Sequence, residues 1–194
     1  MSKIFAKIVS TIVSPILILA ILPYIFVLKS TGNSQAAFFW TVFSWIFLLV
    51  FFVFLLLGIE KKYFSDLDVS KRSQRPLLFT FSIGLSLFYV IFLYFLKAPE
   101  VLFVALFGLI FGLICMELVN RITKASVHVA SVSAFATSLV LVFGLIYILS
   151  FSLVPLVAWA RIKTHNHTKR QTLIGFSMGI LITLTVYVIF KYII

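Results

Sequence analysis

Apolar runs close to the length of a bilayer-crossing helix recur along this chain, and that recurrence leaves little choice of fold. They fall at about 4–28, 36–59, 77–96 and 100–120, each near the roughly 20 residues that an α-helix needs to cross the hydrocarbon core. A further apolar stretch of about 33 residues, from Val127 to Trp159, is too long for one span. It is read as two short spans that turn near Gly144 to Ser150. A last run covers about 172–193. The expected architecture is all-α: a polytopic transmembrane bundle of about seven spans, six plus an N-terminal helix that Pro15 and Pro23 interrupt.

Composition agrees and narrows the classes. Hydrophobic residues make up 63% of the 194 positions, charged residues 11%, and the mean hydropathy is +1.22, so the chain fits no soluble class. What remains between the runs is too small for a second domain, and 1–194 reads as a single membrane-embedded domain. The N-terminal run is not expected to be a signal peptide, because it continues to about Val27 without a small-x-small cleavage site and several further spans follow. Cys115 is a lone cysteine inside an apolar run and excludes an intramolecular disulfide. The net charge of +11 comes from cations in short loops. Anionic lipid is therefore the expected partner, and nucleic acid is not.

Polar residues gather in three segments: Lys61–Arg75, Asn120–His128 and Arg161–Gln171. Two spans separate each from the next, so all three are expected on one face of the membrane. Together they offer Lys71, Arg72, Arg75, Lys124, Arg161, Lys163, Lys169 and Arg170, with Ser126 and the chain's three histidines. Pro76 suits the first turn of a span and presents Arg75 at its mouth. Ser126 can cap the helix that carries His128, and such a helix start favours anions. Guanidinium forks and helix amides suit a phosphate. A metal is not expected, since hard cations want several carboxylates and zinc wants three or four ligands at coherent spacing. Two histidines at one phosphate supply a nucleophile for phosphorus and an acid for the departing oxygen. His165, two residues before His167, is the secondary candidate and reads as solvated. Lys163, Lys169 and Arg170 read mainly as headgroup anchors.

These residues resemble a known family. Arg161-x5-His167-x3-Gln171, preceded by Ser126-Val127-His128 and by Arg75-Pro76, is similar to the signature of the type-2 phosphatidic acid phosphatase superfamily, K-x6-R-P, then P-S-G-H, then S-R-x5-H-x3-D. The resemblance covers about residues 60–180. It implies a membrane-embedded helical bundle that dephosphorylates lipid phosphates or diphosphates without metal or other cofactor. It assigns His167 as the nucleophile that becomes a phosphohistidine, His128 as the acid for the leaving oxygen, and Arg75, Arg161 and Ser126 as the phosphate cradle. The signature's first lysine falls on Asp68, so Lys71 or Arg72 would have to replace it, and Lys124 is a further candidate for the phosphate. Ala125, Val127 and Ala160 depart from the pattern as well. The final aspartate is Gln171, and divergent members of the superfamily look similar here, with His-Thr-x2-Gln. A glutamine carbonyl can fix an imidazole tautomer but cannot stabilise an imidazolium as a carboxylate does.

Two other readings stand beside this one. The segment from Asp66 to Pro76 also resembles part of the aspartate-rich segment of magnesium-dependent membrane prenyltransferases, although Glu60, Glu100 and Glu117 form no second acidic cluster. A non-catalytic lipid-phosphate binder or scaffold is the other. Gly108-x3-Gly112 and Gly175-x3-Gly179 permit close helix contact, through which a homo-oligomer could form. Orientation follows from charge: the motif face carries thirteen cations (Lys3, Lys7, Lys61, Lys62, Lys71, Arg72, Arg75, Arg121, Lys124, Arg161, Lys163, Lys169 and Arg170) and the other face only Lys29, Lys97 and Lys191. The positive-inside rule then places the site toward the cytoplasm.

Overall fold

The computed structural model describes residues 2–191, and within them the fold is helical without a β-strand. Eight α-helices follow in order: α1 (Lys3–Ile12), α2 (Pro15–Thr31), α3 (Ser34–Glu60), α4 (Arg75–Phe95), α5 (Glu100–Ile122), α6 (Val127–Phe143), α7 (Leu153–Lys163) and α8 (Lys169–Phe190). Among the described residues six helical stretches are long and apolar enough to cross a membrane: Lys3–Thr31, Ser34–Glu60, Arg72–Phe95, Glu100–Ile122, Leu145–Lys163 and Lys169–Phe190. Val127–Phe143 is a shorter apolar helix. The chain is a multi-pass membrane protein by length and composition. The end of the last expected span, at 192–193, lies outside the described residues.

The helix boundaries follow local chemistry. The first apolar run breaks once, at Val13–Ser14, where Ser14 offers Oγ to the Leu17 N–H and Pro15 takes the first position of α2. Proline costs nothing there because that N–H has no helical partner. The helix runs on through Pro23. Gly32 lies at φ +64° after α2, and Asn33 Oδ1 accepts from the Gln35 and Ala36 N–H groups to start α3. The turn between α2 and α3 is thus only two residues long, Gly32 and Asn33. The 127–159 stretch divides as expected: α6 ends at Gly144, φ +103°, and a run of 3-10 turns over Leu145–Ser152 leads into α7.

The chain packs as two compact units. One comprises the described residues up to Leu19 with those from Ile122 onward; the other runs from Ala20 to Arg121. In the Ala20–Arg121 unit, α3 and α4 meet through aromatic rings. Phe47 stacks on Tyr89 with centroids 4.2 Å apart and Phe54 on Phe81 at 3.6 Å, pairs that contribute about 0.5–1.5 kcal/mol each beyond their buried area. Ser44 Oγ donates to the Trp40 carbonyl at 2.6 Å, so the Tyr89 hydroxyl, also at 2.6 Å, is the donor to Ser44.

In the other unit α6 and α8 run side by side in parallel. The Ser126 N–H, at the start of α6, donates to the Gln171 carbonyl, at the start of α8, at 3.1 Å. A Cβ built on Gly175 would run into the Ser126 carbonyl oxygen, and one on Gly179 into the Ala130 carbonyl oxygen and Ser133. The Gly175-x3-Gly179 pair is therefore used inside the unit, where it lets two backbones approach. The packing of α1 is on α7, with Ala6, Val9 and Ser10 buried at helical spacing.

Candidate functional site

Each candidate side chain of the Ile122-onward unit is placed by a helix end. The C-terminus of α7 closes with a Schellman turn: the Asn166 N–H donates to the Arg161 carbonyl at 3.1 Å and the His165 N–H to the Ile162 carbonyl at 3.0 Å, with His165 at φ +60°. The His167 N–H also donates to the Arg161 carbonyl, at 3.2 Å. This turn folds the chain back so that His167 is buried, 6% exposed, while His165 stays exposed. His165 thus occupies the left-handed position that glycine prefers. Replacing it with glycine is expected to keep activity and to hold or raise stability by up to about 1 kcal/mol, measured as melting temperature and turnover of His165→Gly.

Thr168 then starts α8 with a capping box. Its Oγ1 accepts from the Gln171 N–H at 3.3 Å, and its own N–H donates to Gln171 Oε1 at 3.2 Å. That second bond settles the amide: a backbone N–H can only donate, so the atom facing it is oxygen. The same Oε1 lies 3.2 Å from His167 Nδ1. An oxygen can only accept there, so Nδ1 carries the proton and Nε2 keeps its lone pair in the neutral ring. Gln171 therefore does for His167 what the sequence allows a glutamine to do, which is to fix the tautomer.

Arg161 is a large, fully buried side chain, 2% exposed. Its Nη1 donates to Ser10 Oγ of α1 at 2.8 Å. With its amide turned so that oxygen meets donors, Asn166 accepts from Nη2 at 3.0 Å and Nη1 at 3.2 Å. The guanidinium is thus clamped in orientation at the end of α7 that bears His167. At the start of α6, Ser126 Oγ accepts from the Val129 N–H at 3.5 Å, as the expected cap, and His128 follows two residues on, buried. Lys124 Nζ donates to the Asn166 carbonyl at 2.7 Å, tying the loop before α6 to the loop before α8. Ser126, His128, Arg161, His167 and Gln171 are in this way gathered at one end of one unit, where two parallel helices begin together. The partial positive charge of both helix starts adds to the cations there.

The other three expected phosphate ligands belong to the Ala20–Arg121 unit. Arg75 opens α4, is buried at 3% exposure, and its Nε donates to the Val69 carbonyl at 3.2 Å. Val69 is itself fully buried at φ +43°, a left-handed conformation that a β-branched residue rarely adopts. Arg72 caps α5: Nε donates to the Asn120 carbonyl at 2.6 Å and Nη2 to the Arg121 carbonyl, the orphan acceptors of a helix C-terminus. Lys71 is exposed beside it. Asp66 organises the loop, its Oδ1 accepting from the Asp68 N–H at 3.0 Å and from the Ser70 N–H and hydroxyl at 3.2 and 3.0 Å.

Sequence reasoning missed Ser10, Asn166 and Thr168. Thr168-x2-Gln171 is a readable capping box, but apolar content alone starts the span at 172. Ser10 carries no local signal, since its partner is 151 residues away. No protein-family model, curated protein or solved structure matches the chain.

Proposed function

We propose that this chain is a membrane phosphatase of lipid phosphates or diphosphates, working through a phosphohistidine without metal. The observation that carries the reading is the Thr168–Gln171–His167 chain, which leaves the His167 Nε2 lone pair as the nucleophile at an end rich in cations and helix N-termini. The resemblance to type-2 phosphatidic acid phosphatases supports the same roles. Nε2 attacks phosphorus, the bond from phosphorus to the lipid oxygen breaks, and protonated His128 gives its proton to that oxygen. Water then attacks the phosphohistidine, His128 takes up a proton from it, the P–N bond breaks, and phosphate leaves with His167 restored. Arg161, held by Ser10 and Asn166, and the amides at the start of α6 face the charge that builds on the phosphoryl oxygens. Preorganised donors of this kind commonly contribute about 10²–10³ in rate each.

Within the Ile122-onward unit, Lys124, Arg161, Lys163, Lys169 and Arg170 lie at the end where α6 and α8 begin, whereas the end with Gly144 and the α8 C-terminus has Lys191. That asymmetry supports a cytoplasm-facing site. Non-catalytic binding of the same lipid phosphates is the second reading. It is favoured by the neutral Gln171, which cannot stabilise the imidazolium that protonation would create.

Phosphate release from phosphatidate, phosphatidylglycerophosphate and mono- and diphosphorylated polyprenols, with EDTA present, tests the proposal. Turnover that survives chelation and is blocked by vanadate is expected. Activity lost with EDTA and restored by magnesium would favour the prenyltransferase-like alternative, and no turnover on any substrate would favour the binder. The role of His128 has its own signature. His128→Ala is expected to cost about 10²–10⁴-fold on alkyl phosphates and much less on nitrophenyl phosphate, whose leaving group needs little protonation. Equal losses across a leaving-group series would remove His128 from that role.

A further inference from the structure

A groove of about 660 Å³ lies in the Ala20–Arg121 unit between the start of α4 and the end of α5, lined by Lys71, Arg72, Ser73, Glu117, Asn120 and Arg121 among others. Its size suits a small ligand or headgroup. Lys71, Arg72 and Arg121 are exposed. Glu117 and Asn120 line the same groove, and one oxygen of each, Glu117 Oε2 and Asn120 Oδ1, is buried and receives no hydrogen bond among the described residues. Asn120 as a whole is only 4% exposed. Glu117 and Asn120 are three residues apart on α5 and share a face. Leaving such acceptors without a donor is costly, the more so for a charged group.

Cations alone would suit any anion, but a buried carboxylate oxygen and an amide oxygen among the lining residues ask for a donor with positive charge. We propose that it binds the headgroup of an aminophospholipid, with the phosphate against Lys71 and Arg121 and the primary ammonium on Glu117 and Asn120. An ammonium has three N–H donors, enough for both oxygens at once. A trimethylammonium headgroup has none, and a glycerol headgroup has donors without the charge. Arg121, whose side chain is 72% exposed and whose Nε is 3.6 Å from Glu117 Oε1, covers the carboxylate. The contact is long and its guanidinium is exposed, so an entering ammonium displaces it readily. The acyl chains then run along the hydrocarbon-facing surface of the spans.

Native mass spectrometry of the purified full-length chain, titrated with phosphatidylethanolamine, phosphatidylcholine or phosphatidylglycerol of identical acyl chains, tests the assignment. The ethanolamine lipid is expected to bind roughly 10-fold or more tightly than the choline lipid, the difference that charged hydrogen bonds support. Glu117→Gln is expected to erase that preference, and Arg121→Ala or Lys71→Ala to weaken ethanolamine and glycerol lipids alike. Equal affinity for ethanolamine and choline lipids in the unmodified chain overturns the proposal without any variant having to fold. An unchanged preference in Glu117→Gln overturns it too, since the carboxylate is then not what recognises the ammonium. Soluble phosphoethanolamine is expected to leave the bound lipid in place; displacement at equal concentration would make the ligand a soluble phosphomonoester and overturn the lipid assignment.

Discussion

Replacing His167 with alanine is expected to lower phosphate release by about 10⁴-fold or more on every substrate, the loss typical of removing a covalent nucleophile from a site whose other members stay in place. The fold should survive. His167 contributes one ring to the turn after α7, while the bonds that form that turn, Asn166 and His165 to the carbonyls of Arg161 and Ile162, come from the backbone. Removing Gln171 tests the same chain from the other side. Gln171→Leu takes away the acceptor for Nδ1–H and the partner of the Thr168 N–H, so a large kinetic loss should come with a smaller loss of stability, about 1 kcal/mol for the cap. Kinetics that leave Gln171→Leu as active as the unmodified chain would show that tautomer control by this residue is not needed.

The largest structural effect is expected at Gly179. A valine there drives its Cβ into the Ala130 carbonyl and Ser133, and neither backbone can yield without parting α6 from α8. Overpacking of this kind typically costs about 1–3 kcal/mol and more where backbone is the obstacle, a fall in melting temperature on the order of 10 °C. Because α6 and α8 also carry Ser126, His128 and Gln171, Gly179→Val should lose activity and stability together. Gly84→Ala is the matched control: a Cβ at Gly84 meets nothing within 4 Å, so alanine should be neutral or stabilise α4 by about 0.5–1 kcal/mol. Equal melting temperatures for the Gly179 and Gly84 variants would mean that α6 and α8 are not in backbone contact.

The spans were legible in the sequence because hydrocarbon thickness sets helix length, and 33 apolar residues after Val127 cannot make one crossing. The turn at Gly144 was legible for the same reason. Helix ends were not. Lys62, Lys97 and His165 all hold left-handed φ without being glycine, so the residue type that normally marks a helix stop is missing at three of them. Polar first turns also hide from hydropathy, which is why α8 begins at Lys169 rather than at 172. Within the site, the histidines, Ser126 and Arg161 announced themselves by type and spacing. Their supports did not, because Ser10 reaches Arg161 only through the packing of α1 on α7, and Asn166 acts by its place in a turn.

The covalent step is the centre of the functional account, and it can be seen directly. The purified chain would be mixed with lipid phosphate carrying radiolabelled phosphorus, quenched within the first turnover under alkaline conditions that preserve phosphohistidine, and digested. An acid-labile label is expected on the peptide containing His167, absent from His167→Ala and accumulating in His128→Ala with an acidic leaving group. Turnover without any labelled protein, or label that persists in His167→Ala, would contradict it.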